Sequence, residues 1–501
     1  MTIQKFSKQF YSIALLFFVL LASCKQANDL TNKDNNPYQN LFATMHERGQ
    51  FNGNVMVIKK GEMVYQGAFG IKNIDPIDSL QLGDRFRLAS VSKQFTAAAI
   101  IQLKEQGKLS YDQDIRDFIP ELPYEGITVR HLLNHVSGLP DYERLMFEYW
   151  KPELEYNDVN RFVSGNEDII KMLVEKKPEV DFKPEEQWEY SNTGYLLLAS
   201  IVNKASGMPF ETYVKEHIFE PTEMGSVVYN YVPGLDPDMP ERVFGYKTEL
   251  DGSRTFEDRH FINPVQGDGG IYASLEDLQK WDRILYTDKI ISEASKKEAF
   301  SPFVLKNGDT TDYGFGWFLD KSLTGKKVVY HSGGWVGFGT YIYREIEEDN
   351  CLILLTNNSK GFPSAAVNGV KNIWNDRPYE LPKISIVDTL RHVIVDKGLK
   401  EGIALYENLK SDTSVDYNFG ENELNMLGYQ LMTLKKNEEA IGVLELNNQL
   451  FSGSANTYDS VGDAYLAKGD TITAITFFQK AYAKDSTFVF SLNKAKELEG
   501  N

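Results

Sequence analysis

Two spacings of apolar residues alternate along this chain, and each change of spacing marks an element. Between Asn54 and Ile71 the runs Val55-Met56-Val57-Ile58 and Met63-Val64-Tyr65 flank Lys60-Gly61. Two short β-prone runs around a glycine turn predict a hairpin. The stretch Phe95-Thr96-Ala97-Ala98-Ala99-Ile100-Ile101 is apolar almost all round. It predicts a buried helix from near Ser90 to Gln106, closed by Gly107. A second buried helix is predicted over Leu196-Leu197-Leu198-Ala199-Ser200-Ile201-Val202, stopped by Ser206-Gly207. From Val328 to Asn357 β-branched and aromatic residues alternate, predicting three strands with turns at the Gly333 to Gly337 glycines and at Glu347 to Asn350.

The tail changes character. Leu424, Gly428, Leu431, Ala440 and Leu444 recur 34 residues later as Tyr458, Gly462, Tyr465, Ala474 and Phe478. That period, with small residues where paired helices would touch, resembles tetratricopeptide repeats. Two repeats rarely stand alone. The helical stretches Ile386 to Val395, Leu399 to Leu409 and Phe488 to Leu498 are expected to complete the stack or dock it on the first domain.

A chain of 501 residues is too long for one ordinary core. Its net charge of -18 gives no reason to bind phosphate backbones, so nucleic acid is excluded as a partner. At the N-terminus Lys5 and Lys8 precede an apolar segment from Phe10 to Ala22 that is short for a membrane span. Leu21-Ala22-Ser23-Cys24 resembles the bacterial lipoprotein box, which implies a signal peptide over 1–23, lipidation of Cys24 and a membrane-anchored protein of the bacterial envelope. The Asn- and Asp-rich residues 24–37 read as a tether. If Cys24 carries lipid, Cys351 has no disulfide partner, and its apolar neighbours predict a buried thiol.

Metal and phosphate chemistry find little support. His131 and His135 are spaced as in zinc peptidases, but Leu132 stands where such a site needs a glutamate base. We expect packed histidines, no metal and no cofactor. The glycine turn from Gly267 to Ser274 lacks a P-loop lysine and reads as a tight turn beside a site. Phe147, Tyr149, Trp150, Tyr156 and Phe162 could line a pocket, but are read as the packing of an inserted helical layer.

Candidate chemistry begins at Ser90-Val91-Ser92-Lys93, which puts a hydroxyl and an amine one helical turn apart. Such a pair can serve as nucleophile and base. Serine is also a favoured helix cap, and Ser491-Leu492-Asn493-Lys494 repeats the pattern in the tail. Two further motifs separate the occurrences: Tyr190-Ser191-Asn192 before the second buried helix, and His331-Ser332-Gly333 on a predicted strand. With Ser137-Gly138-Leu139-Pro140, the segment from Gly267 to Trp281, and Tyr313-Gly314-Phe315-Gly316-Trp317, residues from about Asn40 to Asn357 resemble the serine β-lactamase and penicillin-binding-protein superfamily. The resemblance is to its class C-like branch of D-alanyl-D-alanine carboxypeptidases, esterases and D-aminopeptidases.

This resemblance implies an α+β fold, with an antiparallel sheet flanked by helices and an inserted all-α domain, over 38–380. Linker helices (381–422) and the helical repeat domain (423–501) follow. It also implies that Ser90 is acylated, that Lys93 and Tyr190 share the proton transfers, and that His331 belongs to the catalytic set. Asn192 would bind the substrate or Lys93, and the N–H groups of Ser90 and Gly334 would form an oxyanion hole. Ser332 and Gly333 would lie beside the substrate, with Gly333 clearing the strand edge. His331 replaces the lysine of β-lactamases and, being neutral, is expected to attract a substrate carboxylate less strongly. Glu185 and Glu223 stand where relatives often have a turn glycine, so altered local turns are expected. The reading is a lipid-anchored serine hydrolase of small-molecule or peptide esters and amides, with the repeats free to take a protein partner. A non-catalytic binding lipoprotein and a β-lactamase are the alternatives.

Overall fold

The computed structural model describes residues 36–149, 163, 165–229, 239, 241–358 and 364–500. The signal peptide, Cys24 and most of the tether lie outside the described residues, as do Trp150, Tyr156 and Phe162. The chain divides into two compact units, one of residues 1–247 and 254–381, the other of residues 248–253 and 382–501.

The first unit is built on a six-stranded antiparallel sheet. Its strands are β1 (Gly53–Lys59), β2 (Glu62–Phe69), β3 (Phe318–Lys321), β4 (Lys327–Trp335), β5 (Phe338–Glu345) and β6 (Asn350–Thr356). They lie in the order β3-β4-β5-β6-β1-β2, so β1 closes onto β6 across most of the chain. Lys60 and Gly61 both take positive φ (52° and 80°), the mirror-image turn that suits a two-residue hairpin.

The alternation within the strands sorts two cores. Met56, Ile58, Ile353 and Leu355 face one side with the helix Lys93–Glu105. Val55, Val57, Leu352 and Leu354 face the other with the helices Pro37–Glu47 and Ser364–Trp374. Side chains of period two bury both faces only when helices cover both. Cys351 is fully buried in the first core, which pushes its thiol pKa well up. Asn36 and Pro37 are cap and first turn of a helix, Asn36 Oδ1 accepting the N–H groups of Tyr38 and Gln39.

Between β2 and β3 the chain leaves the sheet and supplies the helical layer, including Val129–Leu133, Tyr142–Tyr149, Asn166–Lys176 and Asn192–Ser206. A small three-stranded sheet of Phe86–Arg87, Ile271–Ala273 and Val227–Val228 ties this layer back to the turn that carries Ser90. Glu185 and Glu223 adopt φ of 67° and 58°, so both keep the left-handed turn of a glycine, where altered turns were expected. The Glu185 carboxylate is held there by His131 Nε2 at 3.1 Å and Lys306 Nζ at 3.7 Å.

In the second unit successive helices pair as hairpins: Val387–Lys397 with Leu399–Ser411, Glu421–Thr433 with Asn437–Leu450, and Ala455–Lys468 with Thr471–Lys484. A side chain on Gly428 would collide with Leu444, and one on Gly462 with Phe478. The same close approach therefore recurs at the 34-residue spacing visible in the sequence.

Candidate active site

A 3₁₀ turn, Ala89–Ser92, leads into the helix Lys93–Glu105 and carries Ser90. No side-chain cap bond forms at this helix start, so the capping role open to Ser90 is not used. Its Oγ lies 3.1 Å from Lys93 Nζ. Ala89 holds φ at 48°, a left-handed conformation unusual for alanine that presents Ser90.

Lys93 is fully buried yet well partnered. Nζ donates to Asn192 Oδ1 (2.7 Å) and to the Asp268 carbonyl (2.8 Å). With the contact to Ser90 Oγ these make three partners around Nζ, all of its hydrogen-bonding positions. Of the two partners open to Asn192 from sequence, the structure shows Lys93. Asn192 Nδ2 in turn donates to Glu143 Oε1 at 3.0 Å, and its backbone N–H to Asp141 Oδ2 at 2.7 Å.

Tyr190 stacks on Phe318 (interplanar angle 5°) and packs on His135 with ring centroids 4.3 Å apart. Its buried hydroxyl makes no hydrogen bond among the described residues, while Lys93 Nζ lies 5.0 Å from its ring centroid. His135 Nδ1 accepts the Ser191 N–H, and His131 Nδ1 accepts the Thr128 N–H within a capping box. His131 is thus held by backbone and by Glu185, while the His135 ring packs against Tyr190 with its Nε2 buried and without a hydrogen bond among the described residues.

His331 is buried with both ring nitrogens engaged. Nδ1–H donates to the Ser332 carbonyl at 2.6 Å, and Nε2 accepts the Tyr313 hydroxyl at 2.9 Å. Burial, then the Lys93 charge, pushes its pKa down to about 3, so the ring is neutral. It does not line the cavity over Ser90; it braces Tyr313, whose ring packs against Tyr190.

Gly333 serves a different end from the one expected. A side chain there would fall on the Leu88 carbonyl oxygen and on Thr340 Oγ1, so the missing Cβ seats the Ser90 turn on β4. Gly334, with open space where a Cβ would stand, is the position that faces the cavity. Ser332 does not line it. We predict that Gly333→Ala costs about 1–3 kcal/mol of stability by overpacking and slows serine acylation about 10²-fold by displacing Ser90. Thermal melts and active-site labelling rates check this.

The cavity, of about 220 Å³, is lined by Ser90, Tyr190, Asn192 and Gly334 together with Arg87, Tyr142, Glu143, Asp268 and Trp335. Tyr142 donates its hydroxyl to Asp268 Oδ2 at 2.8 Å; Phe147 and Tyr149, the described members of the aromatic set, do not line the cavity. Glu143 was not legible in the sequence. Burial, followed by the charges of Asp141 and Asp268, pushes its pKa up to about 8.

The Beta-lactamase family model matches residues 39–371. A penicillin-binding protein from Bacillus subtilis is 38% identical over 358 residues, covering 69% of this chain and 77% of that protein. A D-aminopeptidase from Gluconobacter oxydans is 25% identical over 312 residues, covering 61% of this chain and 55% of that protein. The crystal structure of a penicillin binding protein from Bacillus halodurans superposes with a TM-score of 0.58 at 25% identity, over 66% of this chain and 98% of that one.

Proposed function

The chain belongs to the beta-lactamase family of serine hydrolases, and we propose that it hydrolyses esters, D-amino-acid peptides or related amides through an acyl-enzyme on Ser90. The observation that carries this is the Ser90–Lys93 pair, 3.1 Å apart, with Lys93 fixed by Asn192 and the Asp268 carbonyl beneath a cavity. Ser90 Oγ attacks the carbonyl while its proton passes to Lys93 Nζ or, in the alternative assignment, to Tyr190. Where Lys93 takes it, the Tyr190 hydroxyl protonates the leaving group and recovers a proton from the deacylating water, and Lys93 returns its proton to Ser90 Oγ as the acyl ester breaks. We assign the oxyanion hole to the N–H groups of Ser90 and Gly334, residues that line the same cavity. The relatives named as a penicillin-binding protein and a D-aminopeptidase support this substrate range.

We further propose lipid anchoring through Cys24 in the bacterial envelope, which the Leu21-Ala22-Ser23-Cys24 box supports. The tail is read as tetratricopeptide-like repeats, supported by the equivalent Gly428–Leu444 and Gly462–Phe478 approaches.

The deciding experiment is intact-mass detection of an adduct on Ser90 across p-nitrophenyl esters, D-Ala-D-Ala peptides and a chromogenic cephalosporin. Adducts with none of them, and turnover of none, would overturn the hydrolase reading. Glu143 adds a pH signature. Its carboxyl ionises as pH rises through about 8 and places negative charge beside the developing oxyanion. Wild-type kcat/KM is expected to fall through this range, and Glu143→Gln to lose that inflection. Superimposable profiles would show that Glu143 does not report to the site.

A further inference from the structure

Arg87, three residues before Ser90, lines the same cavity and is buried, 3% exposed. Its guanidinium has almost no partners. Nη2 makes one long contact, 3.4 Å, to the Asn263 carbonyl, while buried Nε and Nη1 are hydrogen-bonded to nothing among the described residues. The nearby acids are committed elsewhere. Asp268 accepts the Tyr142 hydroxyl, Glu143 accepts Asn192, and Asp258 is paired with Arg242. Trp335 lies 6.0 Å from the guanidinium carbon. His260, pushed down to about 4 first by burial and then by the Arg87 charge, is neutral and supplies no anion.

A buried cation with no counter-ion among the described residues is costly until an anion meets it. Gly334 leaves open space on the wall of the cavity that Arg87 lines. A guanidinium donates in two-pronged edges, and Nε and Nη1 lie on different edges, so each has an unmet donor suited to a carboxylate.

We propose that Arg87 is the specificity-determining residue that binds a substrate carboxylate beside the carbonyl attacked by Ser90. The inference rests on the acyl-enzyme reading of Ser90. It also revises the weaker attraction for carboxylates expected from a histidine at 331: His331 is sequestered against Tyr313, and the cation facing the cavity comes from the strand that precedes the nucleophile.

The test uses the full chain, a fluorophosphonate that labels Ser90, and two competitors, N-acetyl-D-alanyl-D-alanine and its uncharged C-terminal amide. In wild type the carboxylate should protect Ser90 at a concentration about tenfold lower than the amide, the worth of one charge-assisted pair. Arg87→Gln should bring that ratio close to one, and Arg87→Lys should recover part of it. Equal protection by the two competitors in wild type, protection by neither, or an unchanged ratio in Arg87→Gln would overturn the proposal. Should Arg87→Gln fail to fold, Arg87→Lys decides: a ratio equal to that of wild type counts against a two-pronged guanidinium contact and overturns the proposal. Absence of wild-type labelling at Ser90 is a separate result, which overturns the acyl-enzyme reading instead.

Discussion

Ser90→Ala is expected to abolish fluorophosphonate labelling and to lower kcat/KM by about 10⁴-fold or more. Ser92, the other hydroxyl in the motif, cannot substitute, because it is fully buried and its Oγ accepts the Ile271 N–H at 3.2 Å. Among the described residues the side-chain hydrogen bond of Ser90 is the one to Lys93. Its removal should therefore leave the melting temperature within a few degrees of wild type, which separates a chemical loss from a folding loss. Labelling of Ser90→Ala at the wild-type rate would place the nucleophile elsewhere and sink the proposed mechanism.

The tail supplies a natural control for that motif. Ser491 and Lys494 have the same spacing as Ser90 and Lys93, but Ser491 donates to Asp459 at 2.7 Å and Lys494 pairs with Asp463 at 2.8 Å. A lysine held by carboxylates on a partly exposed helix has no lone pair to offer a neighbouring hydroxyl. The two motifs share the same serine-to-lysine spacing and differ in what the fold brings to them.

That contrast marks what the sequence could and could not reveal. The sheet was legible because period-two alternation is local, and both buried helices because an apolar surface all round needs no partner to be recognised. The order Ser90, Tyr190, His331 was legible through family resemblance. Glu143 and Arg87 were not, since each owes its role to residues far along the chain: Asn192 for Glu143, and the acids committed away from Arg87; His135 was expected as a packed histidine and packs on Tyr190. Gly333 was singled out for the wrong reason, because its obstacle is the Leu88 carbonyl across the sheet, which no local pattern reports. His331 was expected to be neutral, but a sequence does not say which way a strand side chain turns.

Lys93→Met carries the second large effect. Methionine fills a similar volume but leaves Asn192 Oδ1 and the Asp268 carbonyl without their donor and Ser90 without an acceptor for its proton. Acylation should slow by about 10³-fold or more if Lys93 takes the proton. Labelling at the wild-type rate, together with its loss in Tyr190→Phe, would make Tyr190 the base. The substitution should also be visible in stability against pH. Glu143 has a folded-state pKa raised to about 8 despite the lowering effect of the Lys93 charge. A carboxyl with a raised folded-state pKa binds more protons folded than unfolded, so its contribution falls as pH rises from about 4.5 to about 8 and is level above that. Without the Lys93 charge the upper limit moves higher, and Lys93→Met should go on losing stability above pH 8 where wild type has levelled off. Denaturant melts from pH 5 to pH 10 measure this directly, and parallel curves for the two proteins would show that Glu143 does not sense the lysine.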